Sequence, residues 1–150
     1  DLCAAGLLRT VLQVAPAFPL AHLWLGRAYQ ELGRLDDAVE EFTETRRIVG
    51  DWPVALAALG HVLGVSGRAS EARRVLDELD QLSRRQYVTE YGVALVHAGL
   101  GDRDAAFDWL ERALAARSHW LVWIRLDPRW ESLRADRRFA AVLARIGLMP

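Results

Sequence analysis

Small residues recur every 34 residues along most of the chain, and this period limits the possible folds more than any other feature. The recurring positions are Gly26, Gly60 and Ala94; Gly33, Gly67 and Gly101; Ala38, Ala72 and Ala106; and Phe42, Leu76 and Leu110. Extrapolated backward, the series reaches Ala4, Leu8 and Pro16. A period of this length, kept without insertion across residues 1–118, predicts an array of similar units that stack on one another.

Each unit has the pattern of two helices joined by a tight turn. In the first complete unit, helical spacing of apolar residues runs from Leu20 to Leu32, stops at Gly33 and then resumes. In the later units the same pattern predicts helices over 53–65, 69–82, 87–99 and 103–116. A helix over 2–14 corresponds to the second half of a unit whose first half is missing. Because no strand is predicted, the fold class is all-α.

Two glycines of the first unit have different predicted roles. Gly26 lies on the face that the second helix crosses, and we expect Ala38 to face it there, so that two small residues let the backbones approach closely. Gly33 lies at the break between the helices, where a residue free to adopt positive φ ends the first helix and turns the chain. The copies Gly67 and Gly101 predict the same turn.

The unit resembles the tetratricopeptide repeat, whose 34-residue signature includes Leu-Gly, Tyr, a later Ala and Phe. The first complete unit has Leu25-Gly26, Tyr29, Ala38 and Phe42 at these places. The resemblance implies a right-handed α-solenoid of antiparallel helix hairpins with a C-terminal capping segment. The predicted organisation is the second half of a repeat (1–18), three repeats (19–52, 53–86 and 87–120) and capping helices (121–150).

The repeat pattern fails after Ser118, and a different pattern replaces it. Asp127 followed by Pro128 predicts an N-cap and the first residue of a short helix, and Asp136 can cap a second one that ends at Gly147. A solenoid needs an atypical cap over its terminal repeat. The residues that we expect to cover it are Trp120, Leu121, Trp123, Ile124 and Leu126. The alternative is that the tryptophan cluster is an exposed binding or dimerisation patch.

This ending also resembles the C-terminal end of tetratricopeptide regions in bacterial multidomain regulators. The residues that carry the resemblance lie between Tyr87 and Leu148 and include Gly101-Asp102, Trp109-Leu110-Glu111, Trp120-Leu121-Val122, Asp127-Pro128-Arg129 and Gly147-Leu148. In such proteins the repeats follow a winged-helix DNA-binding domain, a cyclase-like domain or a Ser/Thr kinase domain. The resemblance implies that the chain is part of a larger bacterial regulatory protein.

Charge and cysteine content limit the partners that we expect. With 19 basic and 20 acidic side chains the net charge is −1, so no field of the whole chain attracts nucleic acid or an anionic membrane. All the basic residues are arginine, which we interpret as a hint of bacterial origin. A single cysteine, Cys3, excludes an internal disulfide, and a reducing, cytoplasmic location is consistent with it. The first residues lack the pattern of a signal peptide, and no apolar run is long enough for a membrane span.

The sequence contains no recognisable catalytic, metal-binding or cofactor-binding motif. The four histidines include no pair at i, i+4 spacing, and the glycines of residues 99–104 follow a helix instead of a strand. We therefore predict no enzyme activity, no metal and no cofactor.

The resemblance to tetratricopeptide repeats implies a concave surface, lined by the first helix of each repeat, that binds a peptide or an amphipathic helix. The positions that it assigns to this groove are Leu20, Leu23, Arg27, Gln30, Val54, Ala57, His61, Val88, Tyr91 and Leu95. The groove would be mostly apolar, with Arg27 and His61 as its few polar contacts. The implied function is that of a non-enzymatic scaffold for protein–protein interaction.

Two other functions remain open at this stage. The repeats could position or restrain a catalytic domain, of the cyclase or kinase kind, that lies upstream in the same protein. The chain could also form a homodimer through its N-terminal helix, because the missing partner helix leaves an apolar face.

Overall fold

The computed structural model describes residues 2–148, and no strand occurs within that range. Asp1, Met149 and Pro150, which belong to the predicted segments 1–18 and 121–150, lie outside the described residues. The α-helices are α1 (Leu2–Val14), α2 (Pro19–Glu31), α3 (Leu35–Val49), α4 (Pro53–Val65), α5 (Ala69–Ser83), α6 (Glu90–Gly99), α7 (Arg103–Ala115) and α8 (Arg137–Arg145). Two 3₁₀ helices, His119–Trp123 and Pro128–Leu133, lie between α7 and α8.

Neighbouring helices pack as hairpins that stack on one another. The hairpins are formed by α2 with α3, by α4 with α5 and by α6 with α7. Helix α4 also packs on α3 and on α6, which joins one hairpin to the next, and α1 packs on α2. The prediction of an all-α solenoid of helix hairpins is confirmed.

Helix α6 begins later than the sequence pattern predicts. Pro19 and Pro53 occupy the first turn of α2 and α4, where a fixed φ favours helix and the missing N–H costs nothing. The third copy has Tyr87 at this position, and its neighbours Val88 and Thr89 are β-branched, which favours extended backbone. Thr89 is the N-cap, with φ −69° and ψ 131°, so the predicted start at residue 87 is wrong by three residues.

The turn glycines adopt the predicted conformation, whereas the close contact at Gly26 differs from the prediction. The φ angles of Gly33, Gly67 and Gly101 are 74°, 81° and 76°. A Cβ added to Gly26 would lie 2.6 Å from the ring of Phe42, which is fully buried. The expected contact between Gly26 and Ala38 is therefore wrong, because the Phe42 ring, one turn further along α3, fills the space above the glycine.

Helices α4 and α6 approach closely at two glycines that the repeat pattern does not mark. A Cβ on Gly64 would lie 2.6 Å from the backbone of Gly99, and a Cβ on Gly99 would overlap the carbonyl of His61. Since backbone cannot move aside as a side chain can, only glycine fits at either position. This contact fixes the second and third hairpins relative to each other.

The chain after α7 forms its own part of the core. Trp130, Ile124 and Leu133 are almost completely buried with Phe107 and Leu110 of α7. The predicted N-caps are confirmed: a carboxylate oxygen of Asp127 accepts from the backbone N–H of Arg129 at 3.1 Å, and one of Asp136 accepts from that of Arg138 at 3.0 Å. Residues beyond the last repeat thus cover the C-terminal end of the stack.

A candidate protein-binding surface on the concave side

The segment 119–134, which we call the return segment, packs back onto the helices that line the concave side. Its second 3₁₀ helix contacts α6, and the contact is polar as well as apolar. The Tyr91 hydroxyl donates to a carboxylate oxygen of Asp127 at 2.8 Å and accepts from Trp130 Nε1 at 2.7 Å. The rings of Tyr91 and Trp130 meet edge to face, with centroids 5.2 Å apart. Because all three side chains are buried, this network fixes the return segment on α6.

Asp127 is the electrostatic centre of this contact. Its carboxylate accepts two hydrogen bonds from the Arg129 guanidinium, at 2.9 and 2.7 Å, and lies 3.6 Å from that of Arg27 on α2. Burial alone would raise the pKa of Asp127, but the hydrogen bonds and charge of Arg129, with the charge of Arg27, lower it to about 2. Asp127 is therefore ionised at neutral pH.

His61 lies beneath Arg129 and is completely enclosed. Its Nδ1 lies 2.6 Å from the Gln30 side-chain amide, and its ring is hydrogen-bonded to the backbone of Arg129. Burial, together with the nearby charge of Arg129, lowers the pKa of His61 to about 3, so the ring is neutral. The histidine joins three parts of the fold: Gln30 of α2, its own helix α4, and the return segment.

The open part of the concave side is a cleft of about 360 Å³ between α2 and the return segment. Its walls include Trp24, Trp123 and Leu126, whose exposed fractions are 54%, 55% and 73%. We call it the tryptophan cleft. Three large apolar side chains exposed in one concave place are typical of a surface that binds another molecule.

The 3₁₀ geometry explains why these side chains are exposed. With three residues per turn, side chains at i and i+3 lie on the same side of the segment. Trp123 and Leu126 therefore share one side, while Leu121 and Ile124 share another and are buried. The prediction that Trp123 and Leu126 cover the last repeat is wrong, whereas Leu121 and Ile124 do so. Spacing by three from Trp120 was the sequence signal that could have shown this.

Two family models described as tetratricopeptide repeat match the chain, over residues 4–62 and 53–78. The hairpin stacking and the turn glycines agree with both matches. The chain is a tetratricopeptide repeat protein. No curated protein matches it. Tetratricopeptide repeats typically form non-catalytic modules that bind other proteins.

In this tetratricopeptide repeat protein, half of the residues assigned to the groove are buried by the chain itself. The buried ones are Leu23, Ala57, His61, Tyr91 and Leu95. Those that keep partial exposure are Arg27, Gln30, Val54 and Val88, and Leu20 is exposed. The return segment accounts for much of this difference, because Arg129 lies over Ala57 and His61 while Asp127 and Trp130 contact Tyr91. Of the three repeats, the first retains the most open surface.

Neither a metal site nor a membrane-spanning helix is found within residues 2–148. No group of three or more His, Cys, Asp or Glu side chains in that range could hold a metal ion. None of the helices there has the length and apolar character needed to cross a membrane.

Proposed function

We propose that the chain is a non-enzymatic scaffold that binds an amphipathic helix or an apolar peptide of another protein in the tryptophan cleft. The observation that carries this proposal is the exposure of Trp24, Trp123 and Leu126 around one concavity. Aromatic side chains supply large contact areas at low entropic cost and are frequent energetic centres of protein interfaces. Arg27, half-enclosed at the edge of the cleft, offers hydrogen-bond donors to a polar group of the ligand.

The groove residues divide into two roles under this proposal. Leu20, Arg27, Gln30, Val54 and Val88 keep exposed surface and can contact a ligand directly. The buried ones support the return segment, and Tyr91 does so through its hydroxyl. A charged residue in place of Leu23 or Tyr91 would therefore disturb the fold itself, so these positions do not test binding.

A matched pair of variants in the return segment tests the cleft. Leu126 lines the tryptophan cleft, whereas Val122 is exposed in the same segment and lines none of the clefts described here. We expect the chain and its Val122→Glu variant to capture the same protein from a lysate of the source organism, and Leu126→Glu to lose it. Identical capture by all three, or no specific capture by the unchanged chain, would contradict the proposal. Circular dichroism shows whether both variants stay folded.

We further propose that the chain acts in the bacterial cytoplasm as part of a larger regulatory protein, without direct contact with nucleic acid or membrane. The resemblance of residues 87–148 to the ends of such repeat regions supports this, as do the net charge of −1 and the arginine-only basic residues. The same resemblance supports a second candidate, in which the repeats position a cyclase-like or kinase domain. Reading the gene upstream of the codon for Asp1 distinguishes them, because a winged helix favours the first and a catalytic motif the second.

A further inference from the structure

Helix α1 is apolar over about half of its circumference, and α2 covers only part of that surface. At 100° per residue, seven of its side chains lie within an arc of about 180°. Ala5 is buried and Leu8 and Leu12 are half-buried in the core that α1 shares with α2. The others, which we call the α1 seam, are Ala4, Leu7, Val11 and Val14. The last three are 66%, 40% and 85% exposed.

The other helices in the same position of the hairpin present charged surfaces to solvent. Helix α3 carries Asp36, Asp37, Glu40, Glu41, Glu44, Arg46 and Arg47. Helix α1, of similar length, carries Arg9 alone. A surface helix whose outer face stays in water is normally polar on that face. The composition of α1 is that of a helix covered on a second side.

The α1 seam has the spacing of a helix–helix interface. Its members follow one another at intervals of three, four and three residues, which is the pattern by which one helix packs along another. A second copy of the chain presents an identical seam, so the surface is complementary to itself under a two-fold axis.

The charges beside the seam determine its orientation. A cleft of about 420 Å³ between α1 and α2 is lined by Leu7, Trp24, Arg27 and Glu31, among others. Within residues 2–148, Arg27 donates no hydrogen bond and Glu31 forms no ion pair. They lie one turn apart on α2. An antiparallel pair of copies brings Glu31 of each copy opposite Arg27 of the other, whereas a parallel pair would oppose Arg27 to Arg27.

We propose that two copies of the chain form a closed dimer in which their α1 seams pack antiparallel and Glu31 of each copy accepts from Arg27 of the other. The dimer surface goes beyond the proposed function. It meets the tryptophan cleft only at the edge formed by Trp24, Arg27 and Glu31. A helix of a different protein on the same seam is the competing explanation of its exposure, and it predicts that the isolated chain is monomeric.

Sedimentation velocity of the 150-residue chain over a range of concentrations tests the dimer. We expect a reversible monomer–dimer equilibrium and a dissociation constant raised at least tenfold in Val14→Glu, because a carboxylate then lies within an apolar interface. Val122→Glu is the matched control, since it makes the same change at an exposed valine far along the chain. A monomer at every concentration, a larger open assembly, or equal masses for Val14→Glu and the unchanged chain would each overturn the proposal.

A second variant tests the orientation without altering the packing of α1. Glu31→Arg places like charges opposite each other twice in an antiparallel dimer, and we expect the dissociation constant to rise roughly tenfold. Asp108→Arg makes the same charge change at an exposed position on α7 and should leave the constant unchanged. An unaltered constant in Glu31→Arg would overturn the antiparallel arrangement. Leu126→Glu should keep the dimer, so the cleft and the dimer can fail independently.

Discussion

The two ends of the stack are built from the same kind of hairpin but end differently. At the N-terminal end, Leu7, Val11 and Val14 of α1 remain exposed. At the C-terminal end, the return segment and α8 bury Phe107 and Leu110 of α7. What a repeat exposes is therefore decided by the chain that follows or precedes it, and not by the repeat itself.

The same difference extends along the concave side. Near the C-terminal end the return segment occupies the surface of α4 and α6, and Asp127, Tyr91 and Trp130 attach it there. Near the N-terminal end the surface of α2 stays open at Trp24. A ligand therefore meets a surface whose one wall is a helix of the repeat and whose other wall is the cap.

Removing the central side chain of the cap should have the largest effect on this comparison. Trp130 is fully buried, so Trp130→Ala leaves a cavity and frees the Tyr91 hydroxyl from one partner. We expect the free energy of unfolding, measured in urea, to fall by about 3–5 kcal/mol. Trp123→Ala, which removes an exposed tryptophan of the same segment, should cost less than about 0.5 kcal/mol. Equal losses would show that the cap does not bury Trp130 more than Trp123.

Acid should loosen the contact between the return segment and the concave helices. The pKa of His61 is about 3 in the folded chain and 6.5 as a model value, so the unfolded chain binds a proton first as pH falls. Its stabilisation is complete above pH 6.5, is lost progressively below it and is gone by about pH 3. Between pH 6.5 and 5 the expected loss is about 2 kcal/mol. Denaturation in urea at several pH values should show a flatter profile for His61→Gln.

His22 is the internal control for this pH dependence, because its shift has the opposite sign. Burial would lower its pKa, but hydrogen bonding to the Pro16 carbonyl and to Glu41 raises it. Its contribution is present below pH 6.5 and lost as pH rises through the folded pKa, so His22→Gln should make the acid loss steeper. Burial also lowers the pKa of His97, which leaves some acid loss in His61→Gln. A steeper profile for His61→Gln would contradict the assignment.

The sequence predicts the repeated part of the fold because its determinants are local. Gly33 and its copies adopt positive φ wherever a hairpin turns, and this requirement does not depend on distant residues. The start of α6 was missed because Tyr87 replaces the proline that begins α2 and α4. The partner of Gly26 was missed because spacing indicates which face a residue lies on, but not which side chain reaches across.

The candidate site was less predictable, because it depends on contacts between residues far apart in sequence. Tyr91 has the spacing of a groove residue, yet Asp127, 36 residues later, binds its hydroxyl and buries it. A charged segment such as that of Asp127 and Arg129 does not announce that it will fold back over apolar helices. Trp24 looked like core by helical spacing, and its exposure follows from the absence of a described neighbour on that side of α2.

The smallest expected effect tests whether the open end is open where the structure shows it to be. Gly6 lies on the polar side of α1, about 80° from the nearest residue of the α1 seam, and a Cβ added to it would meet nothing within 4 Å. Alanine has the higher helix propensity, so Gly6→Ala should stabilise the chain by about 0.5–1 kcal/mol. In a thermal melt this corresponds to a rise in Tm of about 2–4 °C. A lower Tm would mean that this side of α1 is closely covered, and the contrast between the two ends would then be confined to the seam.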